Sequence, residues 1–155
     1  METFAVIGAG TMGNGIANLA ARSGLEVIMC QVRPEFLRRG LQAIDSSLNR
    51  DLTKGRLSKE EKNRIIRRIR TVTELEAVRE ADFVVEAIIE DTDAKLAVMA
   101  ELDEITGPEV ILASNTSSIS ITKLAAATRR PDRCIDMHFY GCILPTLQIG
   151  QLARR

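Results

Sequence analysis

Residues 3–30 read TFAVIGAGTMGNGIANLAARSGLEVIMC, and three short signals in them decide the fold. Thr3 to Ile7 is a brief apolar run, GAGTMGNG follows at once, and then Ile16, Ala17, Leu19 and Ala20 recur at helical spacing up to Gly24. LEVIMC comes next, too short and too β-branched for a helix, and reads as a second buried strand. Strand, glycine turn, helix and strand make one β-α-β unit. Its two strands must pair in parallel, because a helical crossover returns the chain to the same end of the sheet.

Within that unit Gly8-Ala9-Gly10-Thr11-Met12-Gly13 matches G-x-G-x-x-G. Gly8 permits the tight turn, Gly10 lets the backbone approach a pyrophosphate, and Gly13 lets the helix pack closely on the strand. The helix opening at Thr11 and Met12 supplies unpaired N–H donors and a partial positive charge. The alternative, a turn with no ligand, is the weaker reading because the motif follows a strand and opens a helix. A dinucleotide site usually places an acid at the end of the second strand for the adenosine ribose, whereas this sequence has Gln31 there, in MCQVR, with Arg33 two residues on. Gln31 can still hydrogen-bond a hydroxyl but lacks the charge that repels a 2′-phosphate. The expected cofactor is NAD with a weakened ribose contact, with NADP as second choice.

From Pro34 to about Arg70 charges are dense, and Phe36, Leu37, Leu41, Ile44 and Leu48 recur at helical spacing. KGRLSKEE interrupts them, with Ser58 placed to cap a second helix, so a projecting helical hairpin is expected over 34–70. Beyond it RTVTE, DFVVEAI, EVILAS and RCIDMHF read as strands, separated by helical segments around Leu75 to Arg79, Lys95 to Ile105 and Thr122 to Thr128. The sustained alternation gives an α/β class: a Rossmann-type, doubly wound, mostly parallel sheet over residues 1–140, followed by a divergent tail over 141–155.

Bulk composition narrows the partners. The 155 residues carry 21 basic and 21 acidic side chains, so nothing pulls the chain generally toward nucleic acid or an anionic membrane. Apolar runs fall short of the roughly 20 residues of a membrane span. Cys30, Cys134 and Cys142 are unclustered, which argues against a metal site or a disulfide framework. With no leader at METFAVIG, a cytoplasmic location is expected.

Read in order, VIGAGTMGNGIA, VVEAIIED, ILASNTSSISIT, RRPDR and MHFY closely resemble the NAD-dependent 3-hydroxyacyl-CoA dehydrogenases, especially the short-chain bacterial 3-hydroxybutyryl-CoA type. The resemblance implies oxidation of the 3-hydroxyl of an acyl-CoA with hydride passed to NAD, or the reverse. It implies that His138 is the base and Ser117 the hydroxyl contacting substrate and nicotinamide, with Asn115 shaping the same pocket. It places Glu90 and Lys95 near the cofactor and Ala87 on the nicotinamide side, leaves Glu86 as a strand-end carboxylate with structural partners, and puts Ser47 and Lys54 where the hairpin meets CoA.

After MHFY the family pattern stops. The family's Asn is replaced by Gly141, and the Glu that orients the base falls at Gly150, twelve residues after His138. The resemblance implies a helical domain after this point that carries most of the family's dimer interface, and it is expected to be missing. A shifted reading frame is expected: Gln148, Ile149, Gly150 and the first base of Gln151 can be encoded by CAAATTGGTC, which gives Lys-Leu-Val one base on, although the next shifted codon gives Asn or Ser and not the family's Glu. The expected function is the cofactor-binding part of a truncated or frameshifted dehydrogenase. The alternative is a catalytically silent NAD-binding module acting with a partner. A third reading, another β-hydroxyacid dehydrogenase, is weaker because those enzymes place a Lys at the proton-transfer position.

Overall fold

In the computed structural model, described over residues 2–139, six strands form one sheet. They are β1 (Thr3–Ile7), β2 (Glu26–Cys30), β3 (Ile69–Val72), β4 (Phe83–Glu86), β5 (Ile111–Ser114) and β6 (Cys134–Asp136). Their order is β3-β2-β1-β4-β5-β6, and each neighbouring pair is parallel, where the sequence reading had expected a mostly parallel sheet. The 140/141 boundary, the tail and Cys142 lie outside the described residues.

Among the described residues there are also five α-helices: α1 (Thr11–Arg22), α2 (Pro34–Thr53), α3 (Lys59–Arg67), α4 (Thr92–Ile105) and α5 (Ile121–Ala125). The strands read as unbroken apolar runs because both faces of the sheet are covered. Phe4, Val6, Val27, Met29, Phe83 and Val85 point to one face, where α1 packs with Ile16, Ala17 and Ala20. Ala5, Ile7, Ile28 and Val84 point to the other, where Met99 and Leu102 of α4 and Leu124 of α5 cover them. Phe4 and Phe83, directly opposed on β1 and β4, stack with ring centroids 5.3 Å apart.

Local signals explain where the helices stop. At the end of α1 the N–H of Leu25 reaches the Ala20 carbonyl and that of Gly24 the Ala21 carbonyl, a Schellman closure that needs the left-handed φ of +96° at Gly24. The hairpin forms as expected. Pro34 opens α2, and Ser58 caps α3 in a reciprocal capping box with Glu61, at 3.1 and 2.8 Å. Leu37, Ile44, Leu48 and Ile65 anchor both hairpin helices in the cluster that α1 shares with the sheet. The segment near Leu75 is a single 3₁₀ turn (Leu75–Val78): Val78 is buried, but the run is too short to nucleate an α-helix.

One close approach sets how α2 meets the glycine turn. Gly40, in the middle of α2, lies so near the turn after β1 that a Cβ there would stand 2.9 Å from the Ala9 carbonyl oxygen. The missing side chain lets α2 lie against the glycine turn, at about 1 kcal/mol of helix propensity.

Candidate dinucleotide site and proton-transfer rim

Because all six strands run the same way, the segments that follow them share one rim. The chain order reverses between β1 and β4, so the crevice outside those carboxyl ends is where such sheets take ligands. The glycine turn follows β1 there. Gly8 has φ +108°, and a Cβ on it would sit 2.6 Å from the Ala87 carbonyl oxygen. A Cβ on Gly13 would meet the Gly8 carbonyl oxygen at 1.9 Å. Gly10 differs, since a Cβ there meets nothing within 4 Å. The first and third glycines are therefore required by the protein's own packing, while the second leaves room in front of the backbone. Gly10 is the N-cap of α1 and has no side chain to cap it, and no acid lies in the first turn, so the Thr11 and Met12 end of the helix suits an anionic group. The residues present thus fit a pyrophosphate.

On the β4 side a carboxylate cluster organises the rim. Glu86, the last residue of β4, is fully buried; Oε1 accepts from the Ile88 N–H and Oε2 from the Ser114 hydroxyl, at 2.7 and 2.6 Å. Lys95, on α4, is also fully buried, with Nζ 2.7 Å from Glu86 and 3.4 Å from Glu90. A buried pair is tolerable only with its remaining hydrogen-bonding capacity used, as it is here. The placement qualifies the expectation for Lys95: enclosed by two carboxylates, it reaches a ligand only through them.

Glu90 lies at the cluster's open edge. Its Oε1 accepts from the hydroxyls of Thr116 and Ser118 and from the N–H groups of Ser117 and Ser118. Burial works to raise its pKa, but the Thr116 and Ser118 hydrogen bonds, the Lys95 charge and the Ser117 N–H outweigh it and hold the carboxyl at about 2. Glu90 therefore stays ionised and clamps the loop after β5, leaving Ser117 exposed. Thr116, which sequence reasoning passed over, is central twice. Its hydroxyl binds Glu90, and its carbonyl lies 3.2 Å from His138 Nδ1. A carbonyl can only accept, so in this bond Nδ1 carries the proton. Asn115 accepts the Phe139 N–H at 2.9 Å, fastening the backbone on the far side of His138. His138 itself is exposed.

The other expected residues divide. Gln31 follows β2, half-buried, with its N–H on the Val72 carbonyl at 3.0 Å, and Ala87 is half-buried between Gly8 and the Glu90 loop. Ser47 lines a cleft of about 300 Å³ between α1 and α2, together with Thr11, Met12, Asn14 and Arg50. Lys54 is exposed at the end of α2 and does not line it. Arg50, one helical turn beyond Ser47, is the cation the cleft contains, and the spacing of the two residues was the available signal. Cys30 is free and buried; burial first, and Glu101 second, push its thiol up to about 11, so it stays protonated. Among the described residues no group of three or more His, Cys, Asp or Glu could hold a metal ion, and no helix is long and apolar enough to cross a membrane.

Comparison with known proteins bears on the same residues. The family model described as 3-hydroxyacyl-CoA dehydrogenase, NAD binding domain, matches residues 3–143. A probable 3-hydroxybutyryl-CoA dehydrogenase of Bacillus subtilis (strain 168) is 44% identical over 154 residues, covering 99% of this chain and 53% of that protein. A 3-hydroxyadipyl-CoA dehydrogenase of Escherichia coli (strain K12) is 41% identical over 141 residues, 91% of this chain and 30% of its own length. The solved (S)-3-hydroxybutyryl-CoA dehydrogenase of Ralstonia eutropha superposes with a TM-score of 0.89 at 43% identity, covering 91% of this chain and 50% of that one. The chain spans about half the length, or less, of the curated relatives it matches. Glycine turn, parallel sheet and Glu90-clamped loop fall within the matched residues, and the chain belongs to the 3-hydroxyacyl-CoA dehydrogenase family, as its NAD-binding domain.

Proposed function

We propose that the chain is the cofactor-binding part of an enzyme that oxidises a 3-hydroxyacyl-CoA to the 3-oxoacyl-CoA, or reduces it. The observation that carries this reading is the link from Glu90 through Thr116 to His138: one carboxylate holds the loop that exposes Ser117, and that loop's carbonyl sets the His138 tautomer. When bound, the nicotinamide accepts or returns the hydride. Gly10, Thr11 and Met12 would hold the pyrophosphate, with Gly8 and Gly13 shaping the turn behind them, Gln31 would meet the ribose, and Ala87 and Glu90 would border the nicotinamide. His138 Nε2 takes the proton from the 3-hydroxyl, and Ser117 donates to the oxygen as charge develops there. Asn115 and Lys95 position these groups. Ser47, with Arg50 and Lys54, supplies polar and basic groups for CoA phosphates on α2. Free thiols at Cys30 and Cys134 support a cytoplasmic setting for this reaction.

NADH fluorescence titration of the chain, followed by acetoacetyl-CoA-dependent NADH oxidation, tests the proposal. The expected outcome is binding with turnover that falls about 10²- to 10⁴-fold in His138→Ala. A second reading, an NAD-binding module without activity of its own, draws on the exposure of His138 and on Gly141 and Gly150, where the resemblance implies Asn and Glu. Tight NADH binding with no turnover selects it. Absence of NADH binding sinks both.

A further inference from the structure

The end of β2 carries a feature that the NAD reading does not use. Gln31 holds the position of the ribose-binding acid, and the segment that follows it, VRPEFLRR, contains three arginines against one glutamate. Arg33, the N-cap of α2, places its guanidinium 5.9 Å from the centroid of the Phe36 ring, and Arg39, from the second turn, lies over the same ring at 5.8 Å. One half-exposed aromatic thus gathers two guanidinium groups beside the strand end. Such stacking favours particular orientations of the planar cations while leaving their N–H edges for an acceptor. Val32, 77% exposed, connects Gln31 to Arg33 and offers apolar surface to an adenine plane.

We infer that the β2 end of this domain accepts the 2′-phosphorylated dinucleotide as well as NAD, with Gln31, Arg33 and Arg39 as the residues that admit the phosphate. The inference rests on the dinucleotide-binding reading and extends it from the pyrophosphate to the adenosine ribose. An acid at position 31 would repel a 2′-phosphate; the Gln31 amide does not, and its N–H group can donate to a phosphate oxygen or to a bare hydroxyl. Guanidinium groups bind phosphate through paired, charge-assisted hydrogen bonds, and Arg33 and Arg39 both lie against the Phe36 ring that follows the strand end. Glu35, in the first turn of α2, is the opposing charge and keeps the patch from being overwhelmingly basic.

The test is a pair of fluorescence titrations of the unmodified chain, with NADH and with NADPH, repeated on Gln31→Asp and on an Arg33→Ala/Arg39→Ala double variant. Wild-type dissociation constants for the two nucleotides are expected within about tenfold of each other. Gln31→Asp should weaken NADPH at least about tenfold and tighten NADH, because the carboxylate accepts from the ribose hydroxyls and repels a 2′-phosphate. The double variant should weaken NADPH by about tenfold and NADH by less than about threefold. These positions are surface or half-buried, and matching melting temperatures would show that each variant is folded. If the wild type binds NADH but NADPH more than about a hundredfold more weakly, the inference fails and the NAD site stands. If NADPH binds well but neither variant disturbs it, the phosphate is held elsewhere and the assignment of these residues fails. If neither nucleotide binds, the dinucleotide reading itself fails and takes the inference with it.

Discussion

Two buried ion clusters sit at opposite rims of the same sheet. At the rim where β5 and β6 begin, Asp103 at the end of α4 pairs with Arg130 at 2.7 Å and Arg129 at 2.8 Å. Arg130 also donates to the Asp103 and Thr106 carbonyls and to that of Gly107, tying the last turn of α4 to the segment that follows it. Asp103 and Arg130 are nearly inaccessible, and the polar atoms of both are spent on the protein. At the carboxyl rim Glu86 and Lys95 are just as buried and just as satisfied. The difference is Glu90, whose side chain is 37% exposed and whose hydrogen bonds hold a loop with Ser117 and His138 at its surface. Burial and pairing mark both rims as rigid. The proposed site lies at the rim where a rigid cluster ends in exposed, oriented groups beside open room at Gly10.

Removing the cation from each cluster should separate stability from binding. Arg130→Met leaves Asp103 charged and buried against Arg129 alone, and Lys95→Met leaves Glu86 buried with only the Ser114 hydroxyl and the Ile88 N–H. Each should cost about 3–5 kcal/mol in denaturant unfolding. NADH affinity, measured at low temperature on folded protein, should be unchanged in Arg130→Met and weakened in Lys95→Met, because Lys95 also borders Glu90. Loss of NADH affinity in a folded Arg130→Met protein would break the division between the rims.

The glycine turn gives the next largest contrast, within one rim. In Gly13→Ala the new methyl would meet the Gly8 carbonyl at 1.9 Å, so the helix and the turn must move apart. Overpacking of this kind costs about 1–3 kcal/mol, and the displaced helix end should bind NADH poorly. Gly10→Ala has open space and an ordinary φ of −69°, so its melting temperature should stay near wild type. Its methyl instead occupies the room in front of the helix N-terminus, and NADH affinity should fall about tenfold or more. Equal melting behaviour of the two variants would remove the distinction between packing glycine and ligand-facing glycine.

The β1-α1-β2 unit was legible because its signals are local: a short apolar run, fixed glycine spacing, and a helix that Gly24 ends. The order of the sheet was not, since which strands lie beside β1 is set by contacts between residues some 80 apart, as in Phe4 against Phe83. Gly40 reads in sequence as a weakness in α2, and its value shows only when α2 lies against Ala9. Lys95 reads as a surface charge near a cofactor until Glu86 and Glu90 are seen on either side of it. The His138 tautomer depends on a backbone carbonyl, and every residue type has one. The proposed base was suggested by its neighbours in sequence, but the group that orients it was not.

The smallest expected effect concerns acid. Glu90 is held at about 2 against an ordinary 4.5, and Asp103 also lies below its usual range because hydrogen bonds from Arg129 and Arg130 and the Arg130 charge outweigh its burial. A carboxylate with a depressed folded-state pKa contributes stability that is fully present above its unfolded value and disappears as pH falls toward the folded one. For Glu90 that window runs from about 4.5 down to about 2. Glu90→Gln keeps an acceptor for Thr116 and Ser118 but removes the charge facing Lys95, so the variant should melt slightly below wild type at pH 7, and the gap should close as pH falls through the window. The effect is modest because the partly exposed carboxylate is screened by solvent. Asp103→Asn should likewise flatten the acid dependence, yet leave NADH affinity at neutral pH untouched, whereas Glu90→Gln should lower it by loosening the loop that carries Ser117. A gap that persists unchanged at pH 2–3 would mean that Glu90 is not held ionised by that loop, and the carboxyl rim would then lack the clamp that distinguishes it from the other.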